Sequence, residues 1–398
     1  MGFSDTGVLG RSIRIVEDQI PELAADAMHV PLDYYRDEAL AAREAELFMT
    51  QPRPVVASSE IPNPDDYLVR MSMKRSLLAT RDSGGKAHVF LNYCRHRGAE
   101  PASGCGNARR HSCPYHGWSY NSRGELVAMP LADRNEGLDY SQLGLVELPS
   151  EERHGLVWAI LTPGVEIDVA AHLGEVDAQL AGLSMDNMQY MNSLPMEPIY
   201  ANWKCVAEGV VESLHVPFVH RATFNVDPGT QGDRFTSSTA IDLAIYDRFG
   251  PHLRYCLPMF GRDGVSDMEH IKSVGSSWDW QQVVQVWLLS PGVLIANDSY
   301  GLDIGFMEPG ETTDTSFFRY GWMGPKPEPE GFPVLAEMAK RAGAAVREDA
   351  PVWEGCGRGL AFGQHGYALI GRNEKGVQLF HEALCDQTGY AGLEYETA

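Results

Sequence analysis

The chain predicts an α+β protein of two domains. A small antiparallel β domain is followed by a larger domain in which an antiparallel sheet is flanked by helices. Three observations lead there. The 398 residues are too many for one ordinary hydrophobic core. After Pro52 and Pro54 the sequence turns to short stretches alternating apolar and polar residues, cut by Pro, Asn, Asp or Gly-Gly, as antiparallel strands require. From about residue 237 to 320, β-branched and aromatic runs return, with helical stretches before and after them.

Taken in order, residues 36–48 are rich in Ala, Glu and Leu and predict a helix. PVVASS, DYLVRMSM, RSLLATRD and HVFLNYC supply strands of the β domain, which closes on LVWAILT near Thr162. A helix is expected over 167–183, strands over 190–200 and a helix over 205–215. QQVVQVWLLS, GVLIAND and LDIGFMEP then read as strands. Proline-rich GPKPEPEGFP marks a surface loop, followed by a helix over 334–347 and more helix after Pro351. The boundaries expected are an N-terminal segment 1–40 packing on the larger domain, the β domain at 41–165 and the larger domain at 166–398.

Apolar residues make up 44 % and charged residues 22 %, the balance of a globular protein. Lysine and arginine number 32 against 54 acidic residues, a formal net charge of −22. Such a surface repels nucleic acid and anionic membrane, so neither is expected as a partner. No apolar run approaches the roughly 20 residues that span a bilayer. The opening MGFSDTGVLGRSIRIVEDQ lacks the basic start and apolar core of a signal peptide. Seven cysteines, an odd count without a disulfide-type framework, predict a reduced, cytoplasmic protein.

Chemistry is concentrated in CRHRGAEPASGCGNARRHSCPYHGW, residues 94–118, which hold three of the seven cysteines and three of the thirteen histidines. Four of these form Cys94-x-His96, sixteen intervening residues, then Cys113-x-x-His116. Two loops thus each offer one thiolate and one imidazole. Zinc accepts such a set, but zinc fingers usually pair ligands of like type. A mixed pair on each loop suits a [2Fe-2S] cluster with both cysteines on one iron and both histidines on the other, the Rieske arrangement. Cys105 reads as a small buried filler. Arg109, Arg110 and His111 read as a solvated basic turn.

CRHRG followed by CPYHGWSY resembles the Rieske domain of Rieske non-haem iron oxygenases, the large (α) subunits of ring-hydroxylating and demethylating systems. A Rieske ferredoxin would end near residue 165, and over two hundred residues follow here. The resemblance implies that they form a catalytic domain around mononuclear Fe(II).

ANWKCVAEGVVESLHVPFVH, residues 201–220, carries two histidines five apart, which a straight helix would splay by about 140°. Pro217 lies between them and ends or distorts the helix, turning His220 back toward His215. Two histidines and a carboxylate form the facial triad of non-haem Fe(II) oxygenases. By the resemblance, His215 and His220 are iron ligands. Glu212 falls where the family carries a carboxylate bridging a ligand histidine to a cluster histidine of a neighbouring subunit, here His116. Glu208 reads as either a functional group or an exposed acidic helix face. The third ligand, by resemblance to the family's C-terminal segment, is Asp349 in REDAPVWEGCGRGL, with Glu348 and Glu354 as substitutes. Trp353 is expected in the core. Phe218, Phe224 and Asn297 are candidate pocket residues.

The resemblance further implies hydroxylation with O2, first of all dihydroxylation of an aromatic or other hydrophobic compound. Oxidative O- or N-demethylation, or hydroxylation of an alicyclic or quaternary-ammonium compound, is the alternative. Electrons from NAD(P)H would come through a flavin reductase, a ferredoxin or both, since the chain has no G-x-G-x-x-G and no second set of four cysteines. A head-to-tail homotrimer, with or without a β subunit, would bring each cluster to the next chain's iron. A pure Rieske electron carrier and a zinc-stabilised binding protein are the readings from other classes, and neither uses His215, His220 and Asp349.

Overall fold

The computed structural model describes residues 11, 14–15, 18, 20–135, 137–220, 222–223, 243–258, 283–297, 301–326, 335–363 and 366–396. Phe224, most of the N-terminal run and the proline-rich loop from residue 327 lie outside them. The chain forms two compact units, Glu46–Tyr190 and a second made of Met1–Ala45 with Met191–Ala398.

An N-terminal arm opens the second unit, with strand β1 (Ala27–Pro31), a 3-10 turn (Leu32–Tyr35) and the first part of helix α1 (Glu38–Thr50), which runs on past Ala45. Asp37 starts the helix, its carboxylate accepting the backbone N–H groups of Ala39 and Leu40 at 2.7 and 2.9 Å.

Glu46–Tyr190 contains strands β2 (Arg53–Ala57), β3 (Asp66–Ser72), β4 (Arg75–Arg81), β5 (Ala87–Leu91) and β6 (Cys105–Asn107). Beyond them come β7 (His111–Ser112), β8 (Ser119–Tyr120), β9 (Leu126–Ala128), β10 (Glu147–Leu148), β11 (Ser150–Arg153) and β12 (Leu156–Ala159). A five-stranded sheet, β10-β5-β4-β3-β6, is accompanied by two three-stranded sheets, β11-β12-β2 and β7-β8-β9. The run RSLLATR in β4 is apolar on both faces, and each face is used. Leu77 and Ala79 pack with Val56 and Val157, while Leu78 packs with Cys94, Cys113, Trp118 and Tyr120.

The single helix expected over 167–183 is two short ones, α2 (Val169–Leu173) and α3 (Val176–Ala181), separated at Gly174, whose φ is +55°. Residues 166–190 therefore fall in the β unit, beyond the expected boundary at 165, because side chains tie them there. Glu151 accepts the Val169 N–H at 3.0 Å, and Asp186 accepts that of Gly155 at 2.8 Å. Asp177 takes two hydrogen bonds from Arg153 at 2.5 Å and lies 2.7 Å from His154. The Arg153 guanidinium, helped by His154, holds the Asp177 carboxyl down at about 2. A depressed carboxylate stabilises the fold above its unfolded value near 4 and ceases to do so as pH falls toward 2. Asp177→Asn is accordingly expected to cost about 2 kcal/mol near neutrality and to flatten acid unfolding between about pH 4 and 2, read by denaturant melts across that range.

The remaining chain builds a seven-stranded antiparallel sheet from β13 (Met188–Ile199), β14 (Ile245–Phe249), β15 (His252–Pro258), β16 (Val283–Leu289), β17 (Val293–Asn297), β18 (Leu302–Pro309) and β19 (Ser316–Pro325). Its order is β13-β19-β18-β17-β16-β15-β14. Helices α4 (Trp203–Val210), α5 (Val216–Val219), α6 (Leu335–Phe362) and α7 (Lys375–Thr388) accompany it. Helix α6 runs on through Pro351, where two helices were expected. Val346, Asp349 and Trp353 keep one face buried across the proline, and that packing outweighs the missing N–H. Strand β1 lies between β20 (Tyr367–Ile370) and β21 (Glu394–Glu396), joining the arm to the C-terminal region. No helix among the described residues is long and apolar enough to cross a membrane.

Candidate cluster loops and metal centre

Two turns of the same design carry Cys94, His96, Cys113 and His116. In the first, the Cys94 N–H donates to the Ala99 carbonyl at 2.9 Å and the Gly98 N–H to the Cys94 carbonyl at 2.9 Å. In the second, the Cys113 N–H donates to the Trp118 carbonyl at 2.8 Å and the Gly117 N–H to the Cys113 carbonyl at 2.9 Å. Gly98 and Gly117 close the turns at φ +79° and +71°, a region costly for any residue with a Cβ.

Both cysteines are buried and both histidines exposed. The imidazoles meet edge to face at 4.6 Å, with Trp118 stacked on His96 at 5.0 Å and Tyr115 over His116 at 3.8 Å. Tyr120 places its hydroxyl 3.2 Å from Cys94 Sγ. Partial desolvation by its neighbours, then the Arg97 charge, lowers the His116 imidazole although it is exposed, favouring the neutral form that binds metal. Thiolates inward and imidazoles outward is the division that a two-iron cluster with unlike irons needs. Cys105, expected as a buried filler, is exposed on the edge strand β6. His111 is buried against the Tyr67 ring rather than solvated.

The second site begins where α4 stops. The predicted helix over 205–215 ends at Val210, because the Glu212 carboxylate captures the backbone N–H groups of Leu214 and, at 3.2 Å, His215. His215 and His220 then flank α5, a single turn with Pro217 in its first positions, where no N–H partner is required. Their rings lie 5.2 Å apart. Asp349 of α6 completes a trio, its Oδ1 lying 3.7 Å from His215 Nε2 and 3.2 Å from His220 Nε2.

Among the described residues this is the one set of three such side chains with ligand atoms all within 4.8 Å of one another.

Behind each trio histidine stands a carboxylate. Glu212 contacts Nδ1 of His215, and Glu348 Oε2 lies 3.1 Å from Nδ1 of His220 while accepting from the Thr223 hydroxyl at 2.5 Å. This leaves both Nε2 atoms turned to Asp349, the orientation that metal-binding histidines adopt when a carboxylate holds the other nitrogen. Burial pushes the Asp349 carboxyl up to about 7, with Glu212 and Glu348 adding to the shift and His215 opposing it. Burial opposes the charged form of His215, but Glu212 outweighs it and the net shift is upward, whereas burial prevails at His220 and lowers it. Three carboxylates around two imidazoles leave excess negative charge that a divalent cation would balance.

The substitute ligands Glu348 and Glu354 are thus placed elsewhere. Glu348 supports His220, and Glu354 accepts the Tyr200 N–H at 3.3 Å. Phe218 is 70 % exposed, so it forms no buried pocket wall. Asn297 is buried and accepts the Gln285 N–H at 2.6 Å. It faces away from Ala296, whose partner across the ladder is Asp303. Trp353 is buried against Phe318, as expected of a core residue.

Three residues near the trio had no signal in the sequence. Tyr320 is pushed well up by burial, with Asp303, which accepts its hydroxyl hydrogen bond, and Asp349 adding to the shift. Tyr255 is raised by burial and next by Glu212. Only strand register could have found them, since Tyr255, Asp303 and Tyr320 lie on the sheet face that also carries Phe318 and, through it, α6.

Two family models match the chain. The Rieske [2Fe-2S] domain model matches residues 51–148, and that of the ring hydroxylating alpha subunit (catalytic domain) matches residues 184–389. Chloroplastic choline monooxygenase of Spinacia oleracea is 29 % identical over 224 residues, covering 52 % of this chain and 48 % of the relative. The chain spans about half the length of the curated relatives it matches. A quaternary ammonium Rieske monooxygenase in its apo form superposes with a TM-score of 0.70 at 18 % identity, covering 94 % of this chain and 98 % of the other. Naphthalene 1,2-dioxygenase from Rhodococcus sp. gives 0.73 at 19 % identity, covering 96 % and 97 %. These two structures share the fold. The chain belongs to the ring-hydroxylating alpha-subunit family, the large subunits of Rieske oxygenases.

Proposed function

We propose that the chain is the terminal oxygenase of an electron-transfer system that hydroxylates an aromatic or other hydrophobic small molecule with O2. The observation that carries this is the presence on one chain of both donor sets, the two cysteine–histidine turns and the His215/His220/Asp349 trio. An electron carrier has no use for the second set.

In this reading Cys94 and Cys113 hold one iron of a [2Fe-2S] cluster, and His96 and His116 the other. His215, His220 and Asp349 hold mononuclear Fe(II), leaving coordination positions for O2 and substrate. When bound, the cluster supplies single electrons and the mononuclear iron supplies O2 activation beside the substrate. The protein's part is to fix and insulate. Glu212 and Glu348 hold the imidazoles with Nε2 turned inward, and Glu212 can accept a proton from the Nδ1 of His215. Electrons from NAD(P)H are proposed to arrive through a separate flavin reductase, ferredoxin or both. A head-to-tail homotrimer, in which Glu212 approaches the His116 of a neighbouring copy, provides the transfer route. A cytoplasmic location is part of this reading.

A second reading, monooxygenation or demethylation of an amine or quaternary-ammonium compound, is favoured by Asp303. Its carboxylate sits with Tyr320 on the sheet face near the trio, a pairing of negative charge and aromatic ring that suits a cation. The test is turnover of the reconstituted protein with a generic reductase, NADH and isotopically labelled O2 against aromatic hydrocarbons and N-methylated amines. Two labelled oxygens in an arene diol support the first reading. One labelled oxygen, or formaldehyde released from an N-methyl group, supports the second. NADH-dependent turnover of neither class contradicts both.

A further inference from the structure

Glu208 lies on the last turn of α4, one turn ahead of Glu212, and takes no part in the trio. It is not a solvated acidic side chain, being 20 % exposed. Tyr35 of the arm donates its hydroxyl to Glu208 Oε1 at 2.6 Å. Nε2 of His381, a fully buried residue of α7, lies 3.2 Å from the same oxygen. The other nitrogen of His381 is 3.3 Å from the Tyr34 hydroxyl.

The neighbouring residues of this turn are held as closely. A Cβ on Gly209 would stand 2.3 Å from Nε1 of Trp353, which lies one turn beyond Asp349 on α6. A Cβ on Gly376 of α7 would stand 2.2 Å from the Val211 carbonyl. The Val211 N–H in turn donates to the Glu208 carbonyl at 3.3 Å. Residues 208–211 are therefore the junction at which the arm, α6 and α7 meet the segment leading to Glu212 and His215. Glu208 is the charged group of that junction, and it joins two elements that are otherwise distant in sequence.

We infer that Glu208 is a positioning residue, its carboxylate fixing the 208–211 turn between Tyr35 and His381 and thereby setting Glu212 and His215 against Asp349. The inference rests on the trio being an iron site. Removing the carboxylate leaves the buried Tyr35 hydroxyl without its acceptor and the buried His381 imidazole without the charge beside it, and it takes away the polar tie of the turn to the arm. Glutamine keeps an oxygen for Tyr35 and should preserve the turn.

The test is Fe(II) titration of wild type, Glu208→Ala and Glu208→Gln with the cluster in place, read by Fe(II) uptake and by the EPR signal of the nitric oxide adduct of the mononuclear iron. Cluster EPR and thermal melting are followed alongside. Glu208→Ala is expected to weaken Fe(II) binding about 10-fold or more and to broaden the adduct signal, with the cluster signal unchanged. Glu208→Gln should stay within about 3-fold of wild type with the wild-type adduct signal. Tyr35→Phe, which deletes one hydroxyl and keeps the ring, should move in the direction of alanine and provides the reading if Glu208→Ala does not fold. Wild-type affinity and signal in Glu208→Ala or, failing that variant, in Tyr35→Phe, or equal weakening in alanine and glutamine, overturns the positioning role. A wild-type chain that takes up no mononuclear Fe(II) overturns the iron site itself.

Discussion

Glu44→Ala is expected to destabilise the second unit by about 3–5 kcal/mol, because it strands a lysine inside the protein. Lys204 and Glu44 are each 1 % exposed and 2.6 Å apart. The second Glu44 oxygen accepts the Trp203 indole N–H at 2.8 Å, and the Lys204 ammonium lies 4.6 Å from the centre of the Tyr34 ring. Alanine leaves the buried Lys204 without its carboxylate, so the lysine is expected to lose its proton or open the fold. Thermal melting should fall by about 10 °C. The double variant Glu44→Ala/Lys204→Met should recover most of the loss, since the cost lies in the unpaired charge rather than in the missing attraction. A single variant that melts with wild type would show that the pair is not buried in solution.

Asp349→Ala should act on the chemistry. It removes the one carboxylate that faces both Nε2 atoms of the histidine pair, so Fe(II) affinity should fall at least about 100-fold and substrate turnover should disappear. The visible spectrum of the cluster should not change, since no Cys94, His96, Cys113 or His116 contact is touched. Asp349→Glu should keep part of the affinity and lose most of the rate, because a longer side chain keeps the charge and displaces the oxygen. Turnover that survives Asp349→Ala would transfer the third-ligand role to another carboxylate.

What could be read from the sequence follows the range of the interactions. The cluster turns are local, and Cys94-x-His96 with Cys113-x-x-His116 carries its own geometry within one short stretch. His215 and His220 are also local, and Pro217 foretold the break between them. The end of α4 at Val210 was not legible, because it depends on Glu212 taking backbone donors that a helix would have used. Pro351 suggested a break that packing of Val346, Asp349 and Trp353 overrides. Glu348 could be chosen as a ligand or as a support only once α6 was placed beside His220 and Thr223. Glu208 was least accessible of all, since Tyr35 and His381 come from opposite ends of the chain, and only the fold brings them to one carboxylate.

One chain is expected to hold a Rieske cluster and a separate mononuclear iron. Iron and acid-labile sulfide counted per chain, with EPR spectra, in wild type and in His215→Ala/His220→Ala test it most directly. Wild type should contain three irons and two sulfides, falling to two irons and two sulfides in the double variant with the Rieske signal intact. Two irons in both proteins would contradict it, and would leave the chain an electron carrier.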